Sequence, residues 1–270
     1  ANTDLFGLPS YRKYGFVRAE DESESVSKSL EYAYDDWCIA QMARAMGEDG
    51  IADVFDRRAE SWRNVINPET GFATPRLNGD WIADFDPRQV NNHFTEANSW
   101  QYSFVQHAQG GARSDAELEK RLDDFFTAGE QTTGRTQSDI TGLIGQYAHG
   151  NEPSHHIAYL FNHANKPWRT QYWVREILDT QYSTLPDGLS GNEDCGQMSA
   201  WYVLSSIGFY SMNPASGNYE IGSPIFEKTT ITLSEEKTFI IEAINVSDKN
   251  KYIQSATLNG KTFNQTTISH

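Results

Sequence analysis

The hydrophobic residues of this chain keep a helical period as far as Pro214 and a strand-like one beyond it, a switch that constrains the fold more than any other feature. From Ser25 to Gly47 the apolar positions Leu30, Ala33, Tyr34, Trp37, Ile39, Met42, Ala43 and Met46 recur at helical spacing, and Gly47 is placed to stop the helix. A second helix is predicted from Ile51 to Ile66, with Val54, Phe55, Ala59 and Trp62 on one face. It ends at Asn67-Pro68, because a residue that precedes proline is pushed out of the α region. Two helices joined by so short a link form an antiparallel hairpin. The stretch from Phe72 to Asp86, with Gly, Pro and Asn among its apolar residues, reads as an ordered loop or short hairpin. Further helices are predicted over Ser99 to His107, Ser114 to Ala128, Thr141 to Tyr147, His155 to Asn162, Pro167 to Gln181 and Gln197 to Ile207. No fixed repeat period runs through them, which argues against a solenoid and fits helical hairpins closed into a double-layered barrel.

After Pro214, Tyr219 to Ile221, Thr229 to Leu233, Thr238 to Ile244 and Tyr252 to Leu258 are rich in β-branched residues, and Asn259-Gly260 signals a tight turn before Lys261 to Phe263. The expected fold is mainly α with a small β tail. Residues 1–214 form part of a helical barrel and residues 215–270 an antiparallel closing segment, either a layer on the barrel or the last strands of a sandwich.

With 22 Lys and Arg against 37 Asp and Glu, the net charge of −15 excludes nucleic acid, whose phosphates need clustered cations. A cation or a neutral polar ligand such as a sugar suits this charge, as does plain solubility. Cys38 and Cys195 make neither a disulfide framework nor a four-ligand zinc site. No apolar run is long enough for a membrane-spanning helix. The start, Ala-Asn-Thr-Asp, has no initiator Met and no basic or apolar leader, and reads as a cut inside a longer chain or as a processed end.

Carboxylates, amides and rings concentrate in three loops where helices begin: His93 to Tyr102, Gly145 to His156 and Gly188 to Trp201. Glu96, close to Trp100, is either a general acid raised by an apolar wall or a cap for the helix that starts near Asn98 or Ser99. Asp194 is either a base that activates water or the N-cap of the helix near Gln197; if it points inward, the adjacent Glu193 points elsewhere. Asn151 and Glu152 offer the hard oxygens that calcium prefers, or serve as a polar loop and cap before Pro153. His149, His155 and His156 lack the spacing of a helical zinc site, and suit donation to sugar hydroxyls or support of other ligands. Trp37, Trp62, Trp173 and Trp201 share helical spacings with other apolar residues and are assigned to the core, which leaves Trp100 for a pocket. The sequons at Asn245 and Asn264 are too short to carry weight.

The run Ser27 to Trp37, the first loop, the run Asp139 to His156 and the run Gly191 to Tyr202 together resemble glycoside hydrolase family 92, the calcium-dependent inverting exo-α-mannosidases. That resemblance implies an (α/α)6 barrel, of which this chain is the C-terminal part, with a β-sandwich domain and the rest of the barrel upstream. It implies Glu96 as general acid and Asp194 as general base, with a mannose-containing glycan as substrate. It further implies calcium beside Asn151 and Glu152, with Trp100, Asn98, His155, His156 and Asn192 expected to face the sugar. Secretion, the periplasm or the cell surface is the implied location. Asn192 stands where some members have Asp, and Val105-Gln106-His107-Ala108 replaces an expected Val-Pro-His-Asp, which bears on linkage preference. A carbohydrate-binding or inactive module, or another helical-barrel glycosidase or lyase, are the competing readings.

Overall fold

The structure is a computed structural model that describes residues 6–104 and 114–270. Two compact units divide the chain, Ala1–Ala112 with Thr127–Pro153, and Arg113–Phe126 with Ser154–His270.

In the first unit, helices α1 (Leu8–Tyr14), α2 (Ser25–Ala45) and α3 (Asp49–Ala59) precede a 3-10 turn, Glu60–Val65. The hairpin expected from the hydrophobic period is present as α2 packed on α3. Val26, Leu30 and Ala33 of α2 meet Trp62, Val65, Phe94, Ala97 and Tyr102 in one buried cluster. Asp36, also inside α2, is buried because its carboxylate is paired: Arg58 donates to it at 2.9 and 3.0 Å and the Tyr11 hydroxyl at 2.9 Å.

The stretch after Phe72 forms the short hairpin β1 (Arg76–Leu77) and β2 (Asp80–Trp81), joined by Asn78-Gly79 with both residues left-handed at φ 52° and 90°. Strand β3 (Gln89–Val90) pairs in parallel with β4 (Thr133–Gly134). Helix α4 is described over Ser99–Tyr102, Ser103 and Phe104 follow it as a turn, and the rest of the expected Ser99 to His107 helix, with Val105 to Ala108, lies outside the described residues. Thr141 to Tyr147 is not a helix. Strands β5 (Leu143–Ile144) and β6 (Tyr147–Ala148) form an antiparallel hairpin there. Gly142 and Gly145, both at φ 61°, turn the chain where the apolar spacing alone read as helical.

In the second unit, α5 (Asp115–Thr127, nearly all within it), α6 (Pro167–Thr180) and α7 (Gln197–Ile207) fall where the period places them. The segment expected as a helix from His155 is a 3-10 helix, Ile157–Ala164. Ile157 through Phe161 are each 0% exposed, so five consecutive positions lack the polar-apolar alternation of a surface helix, while His163 near the end reaches solvent. Trp173 stacks on Phe126 at 4.3 Å, and Trp201 is fully buried, both as core residues.

The tail contains hairpins β9–β10 (Lys228–Ser234 with Lys237–Glu242) and β11–β12 (Ala256–Leu258 with Lys261–Phe263), the latter turning through left-handed Asn259-Gly260. A three-stranded sheet, ordered β13–β8–β7, joins Thr267–Ser269, Asn218–Ile221 and Phe209–Tyr210. These strands belong to the same compact unit as α5–α7, so Pro214 marks a change of element type within that unit. Buried Arg175 of α6 donates to the carbonyls of Pro224 and Ser247, and Asn162 and His163 donate to the buried Glu220 carboxylate at 3.0 Å each.

The hydrogen bond to Glu220 raises the His163 pKa above its ordinary 6.5. A raised histidine contributes its stability fully below the unfolded value and loses it as pH rises through the folded value. Because the imidazole is half-exposed, screening limits the gain to about 1 kcal/mol. His163→Gln is therefore expected to destabilise by about that amount at pH ~5.5 and by much less at pH ~8.5. Denaturant melts of the two proteins at both pH values check this; a pH-independent difference contradicts it.

Candidate active site

The first loop enters α4 through Asn98, which is completely buried. Its side-chain oxygen accepts from the Trp100 amide at 3.0 Å, and the Gln101 side chain accepts from the Asn98 amide at 2.8 Å, a closed capping box. Asn98 Nδ2 donates to Gln146 Oε1 at 3.0 Å, so its amide is committed to the protein. This gives the capping role at α4 to Asn98 and not to Glu96. The cap is Asn98, worth about 1 kcal/mol to the helix, and Glu96 is an exposed residue held left-handed at φ 53°. A non-glycine residue in that region costs roughly 1–3 kcal/mol and persists where its surroundings over-determine it. Here Asn151 Nδ2 donates to the Glu96 carbonyl at 2.8 Å. Half-buried Trp100 meets Phe72 edge to face at 4.6 Å.

Gln146, which the sequence did not single out, organises this loop cluster. Fully buried, it donates to the Gly129 carbonyl at 2.6 Å, accepts from Asn98, and its own carbonyl accepts from Gln101 at 2.8 Å. Its sole signal in the sequence was its position between two glycine-bearing turns, which does not distinguish a hub from a surface amide.

Asn151 is buried, and its Oδ1 accepts from the Glu152 amide at 3.1 Å. Glu152 is exposed at the start of a 3-10 turn, Glu152–Ser154. Among the described residues no group of three His, Cys, Asp or Glu side chains gathers as a metal site. Asn151 and Glu152, adjacent in sequence, offer an amide oxygen and a carboxylate, hard donors of the type calcium takes. His149 is buried and hydrogen-bonded to the Tyr147 hydroxyl at 2.8 Å, which makes it part of the core.

In the second unit His155 is also buried. Its Nδ1 lies within hydrogen-bond distance of Gln197 Nε2, at 3.0 Å. Its carbonyl accepts from Trp201 Nε1 at 3.0 Å. Gln197 also donates to the Tyr210 hydroxyl at 3.3 Å, and Tyr182 stacks on Trp201 at 6.2 Å while donating to the Met198 carbonyl. Burial holds the Tyr182 phenol well above its ordinary value, so it acts as a neutral donor. His156 is half-buried at the head of the 3-10 helix.

The third loop separates its two acids. Glu193 accepts from the Ser199 amide and the Ser199 hydroxyl, both at 3.1 Å, and so takes the capping role on α7. Asp194 is exposed and left-handed at φ 49°, followed by Cys195 at 55° and Gly196 at 99°. Asn192 is exposed beside them. Both candidate carboxylates therefore sit at helix starts on left-handed residues, and in each case a different residue does the capping.

Residues 2–270 match the model of the glycosyl hydrolase family 92 catalytic domain. A family GH92 α-mannosidase from Bacteroides thetaiotaomicron, solved in complex with mannoimidazole, superposes with a TM-score of 0.91 at 42% identity, covering 100% of this chain and 37% of that one. A family GH92 inverting mannosidase from the same organism gives 0.86 at 36% identity over 97% of this chain and 38% of that one. An uncharacterized secreted glycosidase of Arthroderma benhamiae is 25% identical over 98% of this chain and 37% of its own length. The chain thus spans little more than a third of the relatives it matches.

Proposed function

The chain belongs to glycosyl hydrolase family 92, and from that premise we propose that it is the C-terminal part of the (α/α)6 catalytic region of an α-mannosidase that hydrolyses terminal α-mannosyl residues with inversion. The observation that carries the residue assignment is which residues cap: Asn98 and Glu193 hold the two helix starts, and Glu96 and Asp194 are exposed beside them. The names of the solved relatives, an α-mannosidase and an inverting mannosidase, support the substrate and the stereochemistry.

Glu96, protonated, donates to the leaving glycosidic oxygen. Asp194 removes a proton from the water that attacks the opposite face of the sugar, with exposed Asn192 beside it as a water-orienting amide. Inversion requires the two carboxyl groups to lie about 6.5–9.5 Å apart, leaving room for that water. Asn151 keeps the Glu96 backbone in its left-handed setting. Trp100 and half-buried His156 face the sugar, whereas Asn98 and His155 act from behind by fixing their loops. Glu152 and the Asn151 oxygen would hold calcium, which would supply Lewis-acid polarisation of sugar hydroxyls. Export fits the secreted relative's name, and the rest of the barrel with an upstream β-sandwich is the intramolecular partner.

The test is product analysis by NMR. Full-length protein on an α-mannoside should release β-mannose first; initial α-mannose would refute inversion, and tight sugar binding without release would favour a binding module. Excess chelator should abolish turnover, and calcium should restore it better than zinc because the donors are hard oxygens. Glu152→Gln should raise the calcium needed for half-maximal activity about tenfold. Full activity in chelator would remove calcium from the scheme.

A further inference from the structure

We infer that Glu193 is a positioning residue for Asp194, an inference that rests on the assignment of Asp194 as general base. Asp194, Cys195 and Gly196 are all left-handed, at φ 49°, 55° and 99°, and only the last is a glycine. A turn built this way is not the intrinsic preference of its residues, so contacts outside it must hold it. Glu193 supplies them on both sides. Its carbonyl accepts from the amides of Gly196 at 3.2 Å and Met198 at 3.3 Å, closing the turn from within. Its carboxylate reaches past the turn to the first turn of α7, where one oxygen accepts from the Ser199 amide and the other from the Ser199 hydroxyl.

Two consequences follow for the neighbouring acid. The helix N-terminus, which otherwise attracts the nearest carboxylate, is already occupied by Glu193. Asp194 is left exposed, with its backbone direction set by a clamp at each end of the turn. Glu193 and Ser199 are themselves exposed, so the clamp contributes to the direction of Asp194 far more than to global stability. Removing it should let the turn relax toward conformations its residues prefer, and move the Asp194 carboxylate off the water it activates.

The test uses full-length enzyme on a terminal α-mannoside. Glu193→Ala is expected to lower kcat about tenfold to hundredfold with KM changed by less than about twofold, since a misplaced reacting group costs rate rather than ground-state binding. Glu193→Gln retains one acceptor oxygen and should recover most of that loss. Ser199→Ala keeps the amide donor but loses the hydroxyl, and should fall between wild type and Glu193→Ala. A Glu193→Ala kcat within about twofold of wild type, or equal changes in kcat and KM, overturns the inference. If Glu193→Ala does not fold, an unchanged kcat in both Glu193→Gln and Ser199→Ala overturns it instead, and a graded loss supports it. Asp194→Asn separates the two readings: full activity there refutes the base assignment, whereas its loss alongside an unaffected Glu193→Ala refutes the positioning role alone.

Discussion

Glu96→Gln in the full-length enzyme is expected to lower kcat on unactivated α-mannosides by about a thousandfold or more, and on aryl mannosides with good leaving groups far less. The asymmetry follows from the chemistry assigned to Glu96. A general acid contributes about 10²–10⁴-fold where the leaving oxygen needs a proton, and almost nothing where the leaving group departs as a stable anion. Glutamine keeps the shape of the side chain and cannot donate as an acid. Because Asn98 holds the α4 cap and Glu96 is exposed, the substitution should leave folding intact, which a melting curve would verify. Asp194→Asn should instead impair both substrate classes alike, since water must be activated whatever leaves. An equal loss for Glu96→Gln on both classes would overturn its assignment as the acid.

Residues 1–270 produced alone should turn over mannosides at least about a thousandfold more slowly than the full-length protein, even though the Glu96 and Asp194 loops are both included. The relatives it matches are nearly three times longer, and orientation of a bound substrate contributes roughly 7–11 kcal/mol to catalysis. A pocket wall supplied from elsewhere in the polypeptide would take a large share of that with it. The structure adds a physical sign of missing cover. Along α2 and just past its end, Ile39, Met42 and Met46 are 43%, 64% and 71% exposed, and Ile51 and Val54 of α3 are 48% and 45% exposed. A helix that exposes large apolar side chains as well as burying them expects a further neighbour. Isolated residues 1–270 should accordingly self-associate or precipitate, which light scattering would read. Turnover within about tenfold of full length would mean that this segment builds the whole pocket.

Local chemistry determined much of this protein from sequence alone. The α2–α3 hairpin, α5, α6, α7 and the β9–β10 and β11–β12 hairpins were legible because a period of 3.6 or 2 and an Asn-Gly turn are properties of a few neighbouring residues. The loops holding Glu96, Asn151 and Asp194 were legible as concentrations of polar groups before helices. Tertiary structure decided the rest, and the failures share a cause. Leu143, Ile144 and Tyr147 have helical spacing, but left-handed Gly142 and Gly145 fold them into a hairpin whose Gln146 bonds Asn98. Ile157 through Phe161 are buried at every position, which erases the period that identifies a helix. Thr267–Ser269 is a strand because it finds Asn218–Ile221, a partner that no local pattern names. Above all, sequence placed Glu96 and Asp194 beside helix starts with two roles open to each. Which carboxylate caps and which stays exposed depends on backbone direction at single residues, and that direction is set by contacts such as Asn151 on Glu96 and Ser199 on Glu193, made between residues that the chain brings together only when it folds.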